Sequence, residues 1–131
     1  MKKVKEIAYE LSMGNIEKAA QLRLEVEFED KSLELEVVEI ARQALFSYFK
    51  KGDIKKALDT KSFFSISTDS ANEALKQAVL SNYCDGNLKT MIKIRDKVPM
   101  TKSLRQEIVG YCESWKGHHK EAEAMKKVFL G

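Results

Sequence analysis

The stretch FKKGDIKKALD, residues 49–59, decides the fold class of this chain. Within it, Gly52 interrupts a charged segment, Asp53 follows directly, and the small Ala57 stands five residues after the Gly. Three similar stretches occur elsewhere: LSMGNIEKAAQ at 11–21, YCDGNLKTMIK at 83–93 and SWKGHHKEAEA at 114–124. One local pattern in four places predicts one structural unit that is repeated along the chain.

The Gly of each stretch marks the end of a helix. A helix ends well on a residue with left-handed backbone geometry, which Gly adopts without a steric penalty. Asn15, Asp53 or Asn87 comes next, and its side chain can cap the following helix by accepting a hydrogen bond from a backbone N–H. Positions five and twelve after each Gly are apolar and fall on one side of a helix. They are occupied by Ala19, Ala57, Met91 and Ala122, and by Val26, Phe64, Val98 and Phe129. Each stretch therefore predicts a tight helical hairpin.

Composition agrees with a single soluble helical domain over residues 1–131. The chain has 44% hydrophobic and 33% charged residues with one Pro, which allows a continuous core and disfavours disorder. No stretch approaches the about 18 to 20 apolar residues of a membrane span. Glu6 and Glu10 interrupt the apolar residues of the N-terminal segment, so a signal peptide is not expected. Cys84 and Cys112 lack a metal-binding spacing and are expected to be reduced, buried thiols. We therefore expect a cytoplasmic protein that does not enter a membrane.

The segment YFKKGDIKKAL, residues 48–58, resembles the turn region of a tetratricopeptide repeat. Gly52, Asp53, Ile54 and Ala57 stand at the matching places, and the Gly-to-Gly spacings of 38, 34 and 31 lie near the family period of about 34 residues. The resemblance implies an all-α fold, a right-handed stack of about four helical hairpins forming an α-solenoid of about eight helices. It also implies a protein-binding or scaffold module whose first helices line a groove.

The predicted helices cover nearly the whole chain. They run over 2–13, 15–28, 32–51, 53–64, 70–84, 87–98, 102–116 and 118–129. An alternative exists at residues 22–37, where LRLEVEF and LELEV alternate apolar and polar residues and would read as a β-hairpin. Helix is favoured there because Leu, Glu and Arg are helix formers and EDKS lacks a turn Gly. Asp30 or Ser32 is expected to cap the third helix.

A peptide-binding groove follows from the resemblance. Residues six and three positions before each turn Gly would face the concave surface lined by the first helices. Aromatic side chains suit this role because rigid rings supply contact area at little entropic cost. The predicted groove consists of Ala8, Leu11, Phe46, Phe49, Leu80, Tyr83, Tyr111 and Ser114.

A basic column supports an alternative function. The position nine residues after each turn Gly is held by Arg23, Lys61, Arg95 and Lys126. These side chains either lie over an apolar face with their charges in solvent or form a regular row for phosphates. The second reading keeps an RNA-binding helical repeat as an alternative to a protein-binding module.

The final helix predicts self-association. Met125, Val128, Phe129 and Leu130 recur at helical spacing near the end of the chain, where no further helix would cover them. Charge is also uneven: residues 1–40 hold six basic and ten acidic residues, whereas residues 41–131 hold 17 and 10. A two-fold dimer, or a subunit of a larger assembly, is the expected consequence, with the basic 116–127 region near the acidic 25–39 region.

Catalytic and metal-binding patterns are not found in the sequence. His118 and His119 are adjacent, so on a helix they point about 100° apart and cannot chelate one metal well. The sequence has neither a Gly-rich phosphate loop nor a nucleophile motif. We therefore expect a non-enzymatic protein that needs no metal or cofactor.

Overall fold

The computed structural model describes residues 2–29, 31–114 and 122–131. Nearly all of these residues lie in helices. Their bounds are Lys2–Ser12 (α1), Ile16–Glu29 (α2), Glu34–Lys51 (α3), Ile54–Phe63 (α4), Thr68–Cys84 (α5), Leu88–Lys97 (α6), Lys102–Glu113 (α7) and Ala122–Leu130 (α8). A short 3₁₀ turn, Lys31–Leu33, precedes α3. No strand occurs in the described ranges, so the predicted all-α class is confirmed.

The ambiguous segment 22–37 is helical where it is described. A β-hairpin would place Leu24 and Val26 on the same face of a strand. Instead Val26 is 2% exposed and Leu24 is 65% exposed, as expected in a helix with one buried side, where residues two apart lie on nearly opposite sides. The predicted cap of α3 is wrong for Ser32, because Leu33 precedes the helix without a side-chain capping bond. Asp30, the other candidate, lies outside the described residues.

The turn glycines adopt the predicted left-handed geometry. The φ angles are +83° at Gly14, +79° at Gly52 and +71° at Gly86. Each Gly N–H donates to the carbonyl three residues before it, and the next N–H donates to a carbonyl five residues back. This double bond pattern is the Schellman motif, which satisfies carbonyls that a helix end would otherwise leave open. Gly117 lies outside the described residues.

Side-chain capping after these glycines was predicted and is wrong for two of them. Asp53 and Asn87 make no side-chain capping bond. Their backbone carbonyls instead accept the first bonds of α4 and α6. Asn15 directs its side-chain Nδ2 to Glu10 Oε2, 2.8 Å away. The short turn after a left-handed Gly therefore leads directly into the next helix without help from the polar side chain.

Other helix boundaries do use capping side chains. The hydroxyl of Ser67 accepts from the Ser70 N–H at 3.2 Å, and that of Thr101 accepts from the Leu104 N–H at 3.1 Å. Val98 has extended geometry, with φ −95° and ψ 122°, directly before Pro99. The prediction that Pro99 ends the sixth helix is confirmed, because a residue before Pro avoids helical geometry.

The repeated apolar positions form the core. All four residues at position twelve after the turn Gly are buried, with exposed fractions from 1% to 7%: Val26, Phe64, Val98 and Phe129. At position five, Ala19, Ala57 and Met91 are at most 1% exposed. Burying a Val, Met or Phe side chain contributes about 1.5 to 3 kcal/mol, so this repeated set stabilises every helix pair.

Consecutive helices pack as four pairs, α1–α2, α3–α4, α5–α6 and α7–α8. We call α1, α3, α5 and α7 the first helices and the others the second helices. Each first helix contacts the first helix of the next pair. Second helices contact each other at α2–α4 and at α6–α8. Spaces between neighbouring first helices and between neighbouring second helices are therefore two places where a site can be built.

The turn glycines also allow neighbouring pairs to approach closely. A Cβ on Gly14 would lie 2.6 Å from Lys56 Nζ, and one on Gly52 would lie 3.3 Å from Thr90 Cγ2. Lys56 and Thr90 occupy the same position, four residues after the next turn Gly. The same contact thus recurs between the first and second pairs and between the second and third.

Candidate interaction surfaces

The predicted groove is partly wrong. Leu11, Phe49 and Tyr83, the residues three positions before a turn Gly, are 1%, 2% and 1% exposed. Phe49 and Tyr83 therefore belong to the core, whereas Leu11, although almost fully buried, also lines a cleft between α1 and α3. In the last pair the same position is Ser114, which is exposed and donates its hydroxyl to the carbonyl of Tyr111.

Residues six positions before the turn Gly are more accessible. Ala8, Phe46 and Leu80 are half-buried, and Tyr111 is 36% exposed. Phe46 and Leu80 pack one side against the core. Of these four residues, Ala8 and Phe46 line clefts between first helices.

Two clefts open between the first helices. A cleft of about 280 Å³ lies between α1 and α3 and includes Ala8, Ile40 and Ser47. A second cleft of about 150 Å³ lies between α3 and α5 and includes Phe46 and Gln77. Gln43 lines both clefts, so they meet at this side chain. Together they make one shallow surface across three first helices.

Sequence reasoning missed the amides of this surface. Gln43 and Gln77 stand nine residues before Gly52 and Gly86, one helical turn before the predicted positions. Extending the register by one turn would have found both. An amide side chain both donates and accepts hydrogen bonds, so it can contact the backbone of a bound peptide. The Arg42 Nη1 group lies 3.3 Å from Glu39 Oε2 beside them, which leaves this part of the surface nearly neutral.

A more spacious cleft lies on the opposite side, between the second helices α2 and α4. It holds about 820 Å³ near the Gly14 turn and continues into a space of about 420 Å³. Glu17, Gln21 and Phe63 line both parts. Arg23 is the one predicted site residue that lines this cleft, because the predicted groove lies on the first helices.

The members of the basic column are mostly engaged within the chain. The Arg23 Nη2 group lies 2.6 Å from Glu34 Oε1, and its guanidinium stands 5.6 Å from the centre of the Phe64 ring. Arg95 Nε contacts Asp96 Oδ1 at 2.9 Å, and Lys126 Nζ lies 3.3 Å from a carboxylate oxygen of Glu113. Lys61, the fourth member, is half-buried. These contacts agree with side chains that lie over the apolar face, and they reduce the positive charge available to phosphates.

The apolar face of the last helix is internal, which removes the basis of the predicted self-association patch. Met125, Val128 and Phe129 are 0%, 7% and 1% exposed. They are covered because α8 packs against both α6 and α7. Leu130 is 48% exposed and is the member of the predicted set that faces solvent.

The cysteines are not arranged for nucleophilic chemistry. In the described part of the chain, Cys84 and Cys112 are not in a disulfide; Cys112 is buried and Cys84 is half-buried. Burial, with smaller effects of Cys84 and Glu113, raises the pKa of the Cys112 thiol to about 12. The reactive thiolate is therefore scarce at neutral pH. No group of three or more potential metal ligands occurs in the part of the chain that is described, and His118 and His119 lie outside it.

Comparison with protein-family models, with curated proteins and with solved structures finds no match to this chain. Among the residues that the structure describes, no helix combines the length and the apolar character needed to cross a membrane. A functional assignment must therefore come from the surfaces themselves.

Proposed function

We propose that this chain is a non-enzymatic, tetratricopeptide-like module that binds a peptide segment of a partner protein across its first helices. In this proposal the four helix pairs form a right-handed stack, and the protein works as a cytoplasmic scaffold. The bound segment lies over α1, α3 and α5.

Three features support the stacked arrangement. Gly14, Gly52 and Gly86 end the first helices with the same left-handed geometry. The first helices contact one another in chain order. Lys56 and Thr90 repeat one contact between successive pairs. Equal turns and equal contacts between pairs are what a stack of similar units requires.

The position of Gln43 carries the binding proposal. This exposed amide lines the cleft between α1 and α3 and also the cleft between α3 and α5. A peptide that crosses it can place side chains in both clefts while the amide hydrogen-bonds its backbone. Protein is favoured over RNA because Arg23, Arg95 and Lys126 already pair with carboxylates of the chain.

A pull-down from native lysate with two matched variants tests the proposal. Gln43→Arg places a long charged side chain where the clefts meet, and Gln106→Arg makes the same change at an exposed site on α7. We expect partners captured by the wild type and by Gln106→Arg to be lost with Gln43→Arg, as quantified by mass spectrometry. Identical partner sets for all three proteins would refute the assignment.

A further inference from the structure

The cleft between α2 and α4 exposes two large apolar side chains. Leu24 on α2 is 65% exposed and Phe63 on α4 is 46% exposed, and both line the same space together with Ala20. Exposed apolar residues that stand singly need no explanation, but two that share one concave surface indicate a contact site.

The repeat pattern makes this pair unusual. Leu24 stands ten residues after its turn Gly, and the same position in the other pairs is held by exposed Ser62, Asp96 and Lys127. Phe63 stands eleven residues after its turn Gly, where the described equivalents Glu25 and Lys97 are exposed and Val128 is buried. Leu24 is thus apolar at a position where the other pairs have a polar residue. Phe63 is apolar and exposed at a position where its described equivalents are either charged or buried.

The other end of the cleft is basic. Lys18, Lys55 and Lys56 line it near the Gly14 turn, where both α2 and α4 begin. Two of these lysines have a carboxylate nearby: Lys18 Nζ lies 3.4 Å from Oε1 of the buried Glu10, and Lys56 Nζ lies 3.7 Å from Oδ2 of the partly exposed Asp53. A partly exposed pair such as Lys56–Asp53 contributes at most about 1 kcal/mol, so an incoming carboxylate can compete for Lys56.

The helix starts add to this preference. The first N–H groups of a helix have no partner within it and favour negative charge. Asp53 makes no side-chain capping bond to α4, so its carboxylate does not occupy those groups. The carboxylates of Glu17, in the first turn of α2, and of Asp59 on α4 also line the cleft. Three lysines against two carboxylates leave this part of the cleft with a positive balance of charge, which favours an acidic ligand.

We propose that this cleft binds an acidic amphipathic segment of a partner protein, separate from the site on the first helices. A large apolar side chain of that segment inserts between Leu24 and Phe63, and its carboxylates contact Lys18, Lys55 and Lys56. Lys56 and Phe63 are seven residues apart on α4, which corresponds to about 10 Å along the helix axis. The partner therefore carries its apolar residue and its carboxylates about two helical turns apart.

A displayed library of random 16-residue peptides, selected on the intact wild-type chain, supplies the probe. We expect the enriched peptides to combine a Leu, Phe or Trp with Asp or Glu. Each is then synthesised with a fluorescent label, and its Kd is measured for the wild type and for the double variant Leu24→Gln, Phe63→Gln. The double variant should bind at least about tenfold more weakly, as expected for loss of a buried apolar anchor.

Matched variants separate the cleft from general surface effects. Leu35→Gln removes a side chain that is 84% exposed and outside the lining of this cleft, and it should leave the Kd unchanged. Lys55→Glu should weaken binding severalfold, whereas Lys102→Glu, on α7, should not. Unfolding curves of all variants show whether they remain folded.

Three results would overturn the proposal. One is the absence of any enriched peptide whose binding depends on Leu24 and Phe63. Another is a family of enriched peptides whose binding depends on Leu24 and Phe63 but which carry no carboxylates, because this would contradict the stated chemistry of the partner. The third is wild-type self-association in sedimentation that the double variant abolishes, which would make a second copy of the chain the occupant of the cleft.

Discussion

The side-chain amide of Asn82 donates a hydrogen bond to the backbone carbonyl of Lys50, 3.2 Å away, and so joins the last turn of α5 to the last turn of α3. The same Nδ2 group donates to the Ala78 carbonyl at 3.0 Å. Lys50 lies in the final turn of its helix, where carbonyls lack a partner within the helix. Asn82 is 1% exposed, so water cannot readily replace it.

Asn82→Ala should therefore destabilise the protein by about 1 to 2 kcal/mol, because the part-buried bond to the Lys50 carbonyl and the packing of the buried Asn82 side chain would both be lost. The Oδ1 atom of Asn82 is buried without a hydrogen bond, and its removal offsets part of this loss. Urea denaturation followed by circular dichroism measures the change. Asn72→Ala, at a half-buried position near the start of the same helix, is the control and should not destabilise. Equal stability of Asn82→Ala and wild type would show that the bond to Lys50 contributes nothing.

A related contact occurs one pair earlier. The hydroxyl of Tyr48, four residues before Gly52, donates to the carbonyl of Leu11 on α1. Asn82 stands four residues before Gly86. Two different donors at the same repeat position thus hold the end of the preceding first helix. In the first pair this position is Glu10, whose carboxylate accepts hydrogen bonds instead.

The turn glycines offer a test that separates backbone strain from packing. Gly52 and Gly86 both have positive φ, but a Cβ would meet Thr90 at 3.3 Å only at Gly52, and would meet nothing within 4 Å at Gly86. Gly86→Ala should cost about 1 kcal/mol through left-handed geometry alone, and Gly52→Ala should cost more. Thermal unfolding of the two variants gives the comparison. A larger loss at Gly86 would contradict the close approach of Thr90 to the Gly52 turn.

Ser65 adopts left-handed backbone geometry although it carries a side chain. It has a φ of +51°, and its N–H donates to the Ser62 carbonyl while the Ile66 N–H donates to the Lys61 carbonyl. This is the Schellman pattern of the turn glycines, but with a residue that carries a side chain in the strained position. Ser65→Gly should raise stability by about 0.5 to 1 kcal/mol, since relief of strain exceeds the added freedom of the unfolded chain.

Chemical denaturation of Ser65→Gly beside Ser67→Gly checks this. Ser67 caps α5 with its hydroxyl, so its replacement by Gly should lower stability by a few tenths of a kcal/mol. The two Ser-to-Gly changes, two residues apart, are expected to have opposite signs. A loss of stability in Ser65→Gly would mean that its side chain makes a contact worth more than the strain.

The sequence predicted the features that depend on local chemistry. The left-handed glycines, the buried positions five and twelve residues after them, and the helix end before Pro99 all follow from backbone preferences and helical periodicity. The helical state of the described part of 22–37 was also predictable, because Leu, Glu and Arg favour helix over the alternating pattern.

The surfaces were harder to predict because they depend on how helix pairs pack. Periodicity identifies an apolar side of a helix but not which of its residues the next pair covers. Phe49 was expected in a groove and is buried, whereas Gln43, one and a half turns earlier, lines two clefts. Phe129 was expected at an interface between copies and is covered by neighbouring helices of its own chain. The cleft with Leu24 and Phe63 joins residues 39 positions apart, which no local pattern connects.

Glu10 should make the stability of the protein depend on pH. The side-chain amide of Asn15 is the main cause that lowers the pKa of this carboxyl, and Lys18 acts in the same sense through a hydrogen bond and its charge, while burial opposes them. Because the folded-state pKa is below the unfolded value, the contribution of Glu10 is present above the unfolded pKa and is lost as pH falls through the folded pKa.

Glu10→Gln should therefore reduce stability at pH 7, and this difference from the wild type should shrink on acidification toward pH 3. Urea midpoints at both pH values measure it, with the exposed Glu6→Gln as the control that should show no such change. A difference between Glu10→Gln and wild type that is the same at both pH values would mean that the charge of Glu10 is not what stabilises the first helix pair.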